Sequence, residues 1–270
     1  MKISKRIIIT AALIAAVVLL GIKNNKKESR LHDKIIKEVT LVTDGKINPS
    51  NNEKLVLVSG KISYTSDDTL CFEELNPQIN SFKIKRTVKD FISYEKDGKT
   101  HYEWKERTQE PMLYGSLLDS LYSSEIKINP NVGDFLLDDY GFDLVPTDES
   151  YEEAKEICGL KYNGLEYATH DDEDEPGDVS LNYNYFNVSK NNYLSVLAKQ
   201  TGSTFAPYKI GKNNVYFVFP GKVDSINKLK DMFKLEIKKD KRGRIALIVI
   251  IAVFAALIIY DKTKRTKQNN

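Results

Sequence analysis

FKIKRTVKDFISYEKDGKTHYEWKER, residues 82–107, is the stretch that decides the fold. At its centre stands Asp97-Gly98, a dipeptide that favours the two positive-φ positions of a tight hairpin turn. The flanking runs, Phe82 to Tyr94 and Lys99 to Arg107, carry β-branched and aromatic residues, so the stretch predicts two antiparallel strands. Phe91 and Tyr94 lie on one arm, Tyr102 and Trp104 on the other. Cross-strand aromatic pairs stabilise a sheet by roughly 0.2 to 1 kcal/mol each, which gives these rings a structural role ahead of any ligand-binding one.

Outward from the hairpin the pattern is mainly extended. Lys54 to Tyr64 predicts a strand whose run Leu55, Val56, Leu57, Val58 is apolar enough for burial on both faces. Ile126 to Ile128 and Phe135 to Leu137 are short strand candidates around Asn129-Pro130. A second β region covers Leu160 to Ala168, Asp178 to Val188, Tyr193 to Gln200 and Asn214 to Pro220. Helices are predicted over Lys26 to Val39, weakly over Met112 to Tyr122, and over Val223 to Phe233. A further helix is predicted over Ser150 to Cys158, with Ser150 as N-cap and Glu153 completing a capping box. The expected class is an α+β fold, a mainly antiparallel β soluble domain between two transmembrane helices.

Those two helices are expected at 7–22 and 245–260, the main uninterrupted apolar stretches of a 270-residue chain that is 41% hydrophobic and 29% charged. Eleven of the sixteen residues from Ile245 to Tyr260 are Ile, Leu, Val or Phe, and none is charged. Lys5 and Arg6 precede the first stretch, while Arg244, Tyr260 and Lys262 bracket the second as membrane-interface residues. The first stretch has the build of a signal peptide as well as that of an anchor, and the lack of a small-x-small site after Val17 favours a retained signal anchor. Residues 1–6 and 261–270 are then cytoplasmic tails and 23–244 an extracytoplasmic domain, either single or in two β-rich lobes. The basic residues divide on orientation: the flank count leans towards a cytoplasmic domain, and dominance of the first helix towards an external one.

The chain resembles the LUMA family, membrane proteins best known from the endoplasmic reticulum and inner nuclear membrane, with bacterial relatives. The likeness is carried by Asn52-Glu53-Lys54-Leu55-Val56 before Gly60, Phe82 to Val88 before Tyr94-Glu95, the Asp97-Gly98 turn before Tyr102-Glu103-Trp104, and Pro176 to Leu181. It implies a domain outside the bacterial cell membrane, or in the lumen of the endoplasmic reticulum or nuclear envelope if the chain is eukaryotic. It also implies a role in organising membrane-protein complexes through self-association. No catalytic residue is carried over, and the single C-terminal apolar segment departs from the several helices of the animal pattern.

Residue chemistry points the same way. A net charge of +2, from 40 basic and 38 acidic residues, gives no electrostatic reason to expect nucleic acid. His32, His101 and His170 are far apart in sequence and lack zinc-binding spacing. No nucleophile elbow, phosphate-binding loop or dinucleotide fingerprint occurs. Cys71 and Cys158 could form one disulfide or stay as buried thiols. The acidic run at 171–175 offers Asp171, Asp172 and Asp174 as hard oxygen ligands for a divalent cation, although a solvated loop is the simpler reading. No cofactor is expected. The expected function is a non-enzymatic membrane scaffold whose partners are the lipid bilayer, further copies of itself and other membrane proteins. The alternative is a membrane-bound sensor of a small ligand or divalent cation.

Overall fold

The computed structural model describes residues 27–65, 72–109, 116–169, 174–235 and 238. These divide into two compact units. The larger comprises Val42–Tyr208 and Asn214–Val223, and the smaller draws its described residues from Met1–Leu41, Lys209–Asn213 and Asp224–Asn270. In the smaller unit, residues 27–38 and 226–235 are helical.

The larger unit is built from two antiparallel sheets. In the first, Leu55–Ser63 pairs with Tyr193–Thr201 from Tyr193↔Lys61 to Lys199↔Leu55. Leu55, Val56, Leu57 and Val58 are all buried, as an apolar run covered on both faces requires. Tyr193–Thr201 carries Thr204–Ala206 and Phe217–Pro220 on its other edge. Leu55–Ser63 passes on to Asn131–Val132, which pairs with Phe135–Leu136. The sheet then closes on itself: the Leu136 amide donates to the Ser203 carbonyl at 2.9 Å, and Thr204 Oγ1 donates to the Leu136 carbonyl at 3.0 Å. Closure demands close backbone approach at Gly60, where an added Cβ would lie 2.3 Å from the Gly133 nitrogen.

The second sheet has eight strands, running Lys99–Glu106, Lys83–Lys96, Val179–Tyr185, Tyr167–Ala168, Leu160–Tyr162 and Glu156–Ile157, with Ser124–Lys127 and Glu149–Ser150 attached at the sides. Each sheet has its own apolar core. Phe82 and Phe186 belong to the first core, whereas Ile84 and Tyr185 pack with the second, so the chain crosses between cores at Lys83 and again after Tyr185.

The expected class is corrected by this architecture. The described residues form mostly antiparallel sheet with few helices, and no helix among them is long and apolar enough to cross a membrane. A two-pass placement, in the bacterial cell membrane or in the endoplasmic reticulum or nuclear envelope, is therefore unsupported. Segments 7–22 and 245–260, with Lys5, Arg6, Arg244, Tyr260 and Lys262, lie outside the described residues. Inside the domain one expected helix is replaced by strands. Ser150 to Cys158 is not helical: Glu149–Ser150 pairs with Asn184 and Tyr185, the Tyr151 amide donates to the Tyr183 carbonyl, and Glu156–Ile157 turns back through Cys158-Gly159. Both turn residues have positive φ, 51° and 85°, the conformation of a tight hairpin. Buried Tyr151 and Ile157 gain more from the second core than a capping box returns. A capping box does form elsewhere, between Ser116 and Asp119 at the start of the short helix Leu117–Ser120.

Candidate interaction surface

The hairpin Lys83–Lys96 and Lys99–Glu106 forms with Asp97 and Gly98 as its turn, at φ 53° and 69°. Its inner half is part of the sheet, because Val179–Tyr185 lies alongside from Ile84 to Asp90. Phe91 is the last residue held on that side: its amide donates to the Asp178 carbonyl at 2.8 Å and its carbonyl accepts from the Gly177 amide at 2.9 Å. From Ile92 to the turn, the ladder pairs this strand with Lys99–Glu106 alone among the described residues. The outer half is therefore a two-stranded blade projecting past the sheet.

Register places Phe91 opposite Trp104 and Ser93 opposite Tyr102. Alternation puts all four side chains on one face of the blade. There the Phe91 ring stacks on Tyr102 with centroids 6.1 Å apart and meets Trp104 at 5.2 Å. Tyr102 is 58% exposed, unusual for a ring on a folded strand. On the opposite face Tyr94 stacks on His101 at 5.6 Å. Lys99–Glu106 is the last strand of its sheet, so among the described residues its outer edge is unpaired.

The base of the blade is fixed. Arg107 grips Asp90 bidentately, with Nη2 to Oδ1 at 2.5 Å and Nε to Oδ2 at 3.1 Å. Its Nη1 donates to the carbonyls of Leu118 and Leu121, at the end of the Leu117–Ser120 helix. A planar five-donor guanidinium suits this double duty. The aromatic face is thus presented by a rigid support.

Of the residues singled out as cation ligands, Asp171 and Asp172 lie outside the described residues. Asp174 accepts a hydrogen bond from Trp104 Nε1 at 3.1 Å, which ties it to the blade. Among the described residues no group of three or more His, Cys, Asp or Glu side chains could share a metal ion.

The cluster that sequence reasoning missed is buried in the second core. Arg86 and Glu74 form an ion pair at 2.5 Å, and Tyr183 donates its hydroxyl to the same Glu74 oxygen at 2.6 Å. Arg86 Nε donates to the Tyr122 carbonyl at 2.8 Å, and the guanidinium lies 4.4 Å from the Phe72 ring centroid. Desolvation first, and then the Glu74 carboxylate, push the Tyr183 hydroxyl far above the usual tyrosine range. Burial likewise raises the Cys158 thiol, which disfavours the nucleophilic thiolate. Arg86, Glu74 and Tyr183 satisfy one another's hydrogen bonds. Glu74 gave no signal because it lies in an irregular segment and meets Tyr183 across 109 positions of chain.

In the smaller unit His32 stacks on Phe233 at 4.0 Å beside a cavity of about 220 Å³. Desolvation lowers the His32 pKa, opposed by Glu28 and Asp33. His101, the other described histidine with a ring partner, belongs to the blade. No family model, curated protein or solved structure matches this chain.

Proposed function

We propose that this chain is a non-enzymatic scaffold that organises protein complexes by self-association, and that the blade of residues 91–104 is its contact element. The observation that carries this reading is a row of half-buried rings ending in exposed Tyr102, beside a strand edge unpaired among the described residues and held by the Arg107 clamp. Natural proteins usually blunt such edges or cover them, because an open edge recruits further strands. Tyrosine and tryptophan also dominate contact energy at protein interfaces. The motif likeness to the LUMA family supports the same reading, since that family organises complexes through self-association. Other proteins are expected as partners besides further copies, and nucleic acid is not.

Light scattering across a concentration series tests the reading. The expected result is a mass above the 30.8 kDa of one chain that falls on dilution. Tyr102→Ser is expected to shift that equilibrium towards the single chain while leaving the circular dichroism spectrum unchanged. A mass of one chain at every concentration would end the scaffold reading.

A further inference from the structure

The self-association proposed above can be carried to a specific pairing. We infer that a second copy of this chain pairs antiparallel along the outer edge of Lys99–Glu106, with Trp104 opposite Trp104 on a two-fold axis and Glu103 opposite Lys105 on each side of it.

Three features of the hairpin restrict the choice of register. Lys96 and Lys99 flank a two-residue turn, so they form the hydrogen-bonded pair nearest to it. Alternation then directs the backbone groups of residues 99, 101, 103 and 105 inward, leaving those of Thr100, Tyr102, Trp104 and Glu106 facing outward. A two-fold axis perpendicular to the sheet keeps corresponding faces together, so even-numbered residues oppose even-numbered ones and odd oppose odd. An axis between residues of different parity is thereby excluded.

Charge and ring burial choose among the registers that remain. An axis at Tyr102 sets Lys99 against Lys105 twice, and an axis at Glu103 sets that carboxylate against its own copy. Like charges directly opposite one another destabilise a sheet. An axis at His101 gives Lys99 opposite Glu103 but leaves Trp104 beyond its partner's strand, beside the turn. The axis at Trp104 alone combines two Glu103–Lys105 pairs with opposed indoles. It also joins the two Phe91–Trp104 contacts, each 5.2 Å within one copy, into a row of four rings. Glu103 and Lys105 are both exposed in the single chain, and Glu103 accepts a long hydrogen bond of 3.5 Å from the exposed Tyr94 hydroxyl, which leaves its second carboxylate oxygen for Lys105 of the other copy.

Charge reversal tests the register with the full-length chain, held in a mild non-ionic detergent so that the apolar segments 7–22 and 245–260 do not mediate contacts. Glu103→Lys sets two lysines against each other, and Lys105→Glu sets two glutamates against each other. Each variant alone is expected to dimerise roughly tenfold or more weakly than the wild type, as measured by sedimentation. An equimolar mixture restores both pairs within a heterodimer, and wild-type affinity is expected to return. Recovery on mixing also shows that both variants are folded. Wild-type dimers with undiminished affinity in either variant, or without recovery in the mixture, would overturn this register while leaving self-association standing. A wild-type chain that stays single at concentrations up to about 0.1 mM would overturn both.

Discussion

The two sheets of the larger unit treat their edges in opposite ways. The first curls until Leu136 meets Ser203 and Thr204, and stacks Phe135 on Phe205 at 5.0 Å behind that seam. Its two buried serines are netted: Ser59 and Ser195 share a hydrogen bond of 2.8 Å, and the Val223 amide donates to both hydroxyls. The second sheet ends in Lys99–Glu106, whose edge is open among the described residues, and displays rings on a blade. Closure removes the hazard of stray strand pairing, whereas an open edge keeps the capacity for it. Both sheets bury an apolar core, and only the second keeps an edge that the proposed self-association can use.

Gly60→Ala strikes the closed sheet hardest. The new methyl would stand 2.3 Å from the Gly133 nitrogen and 2.4 Å from the Val132 carbonyl carbon, and backbone atoms cannot rotate away. Loss of the cooperative urea transition is expected, a cost of about 3 kcal/mol or more. Glu74→Ala strikes the core of the open sheet by leaving Arg86 buried without its carboxylate. A loss of about 3 to 5 kcal/mol is expected in urea melts, and Glu74→Leu combined with Arg86→Met should recover most of it. Tyr183→Phe removes only the hydroxyl that supports Glu74 and is expected to cost about 1 to 2 kcal/mol. Tyr102→Ser, on the exposed blade, should change stability by no more than about 0.5 kcal/mol while weakening self-association. Equal losses of stability in Tyr102→Ser and Tyr183→Phe would show that the blade supports the fold as much as the core of its own sheet does, and would remove the contrast between a free blade and a closed edge.

Alkaline titration sharpens the comparison, because high-pKa tyrosines are buried in both cores. Burial holds the Tyr167 hydroxyl up at about 12, and raises Tyr183 and Tyr216 in the same direction. The unfolded chain releases these protons near pH 10, so between that value and the folded one the native state binds more protons than the unfolded state. Stability must therefore fall as pH rises through this window. Lys83 works in the opposite sense, since desolvation lowers its pKa in the folded state, but Tyr64, Tyr151 and Tyr185 are raised by burial too and outweigh it. Denaturant midpoints measured from pH 8 to pH 12 are expected to hold steady and then decline above about pH 10.

The blade was legible in the sequence because its determinants are local. Asp97-Gly98 fixes the turn, and the turn fixes which rings face each other. The central strand of the closed sheet was legible too, from the continuous run Leu55 to Val58. Closure was not, since it depends on a seam between residues 136 and 203–204 that no periodicity marks. The helix expected at Ser150 to Cys158 shows the same limit: its local capping signal yielded to pairing with residues 184 and 185. The Asp174 contact with Trp104 is also long-range, spanning 70 positions, and no local pattern in the acidic run marks it.

Lys83 has a mechanical consequence. Its ammonium donates to the carbonyls of Phe142, Asp143 and Val145 at 3.0, 3.3 and 2.9 Å, gripping the end of the Asp139–Asp143 helix from the strand that leads to the blade. The chain passes from one core to the other at this residue, so the same side chain that leaves the first core also ties it to the helix end. Copies pairing along the blade as proposed would carry the first core on that tether, far from the surfaces that touch.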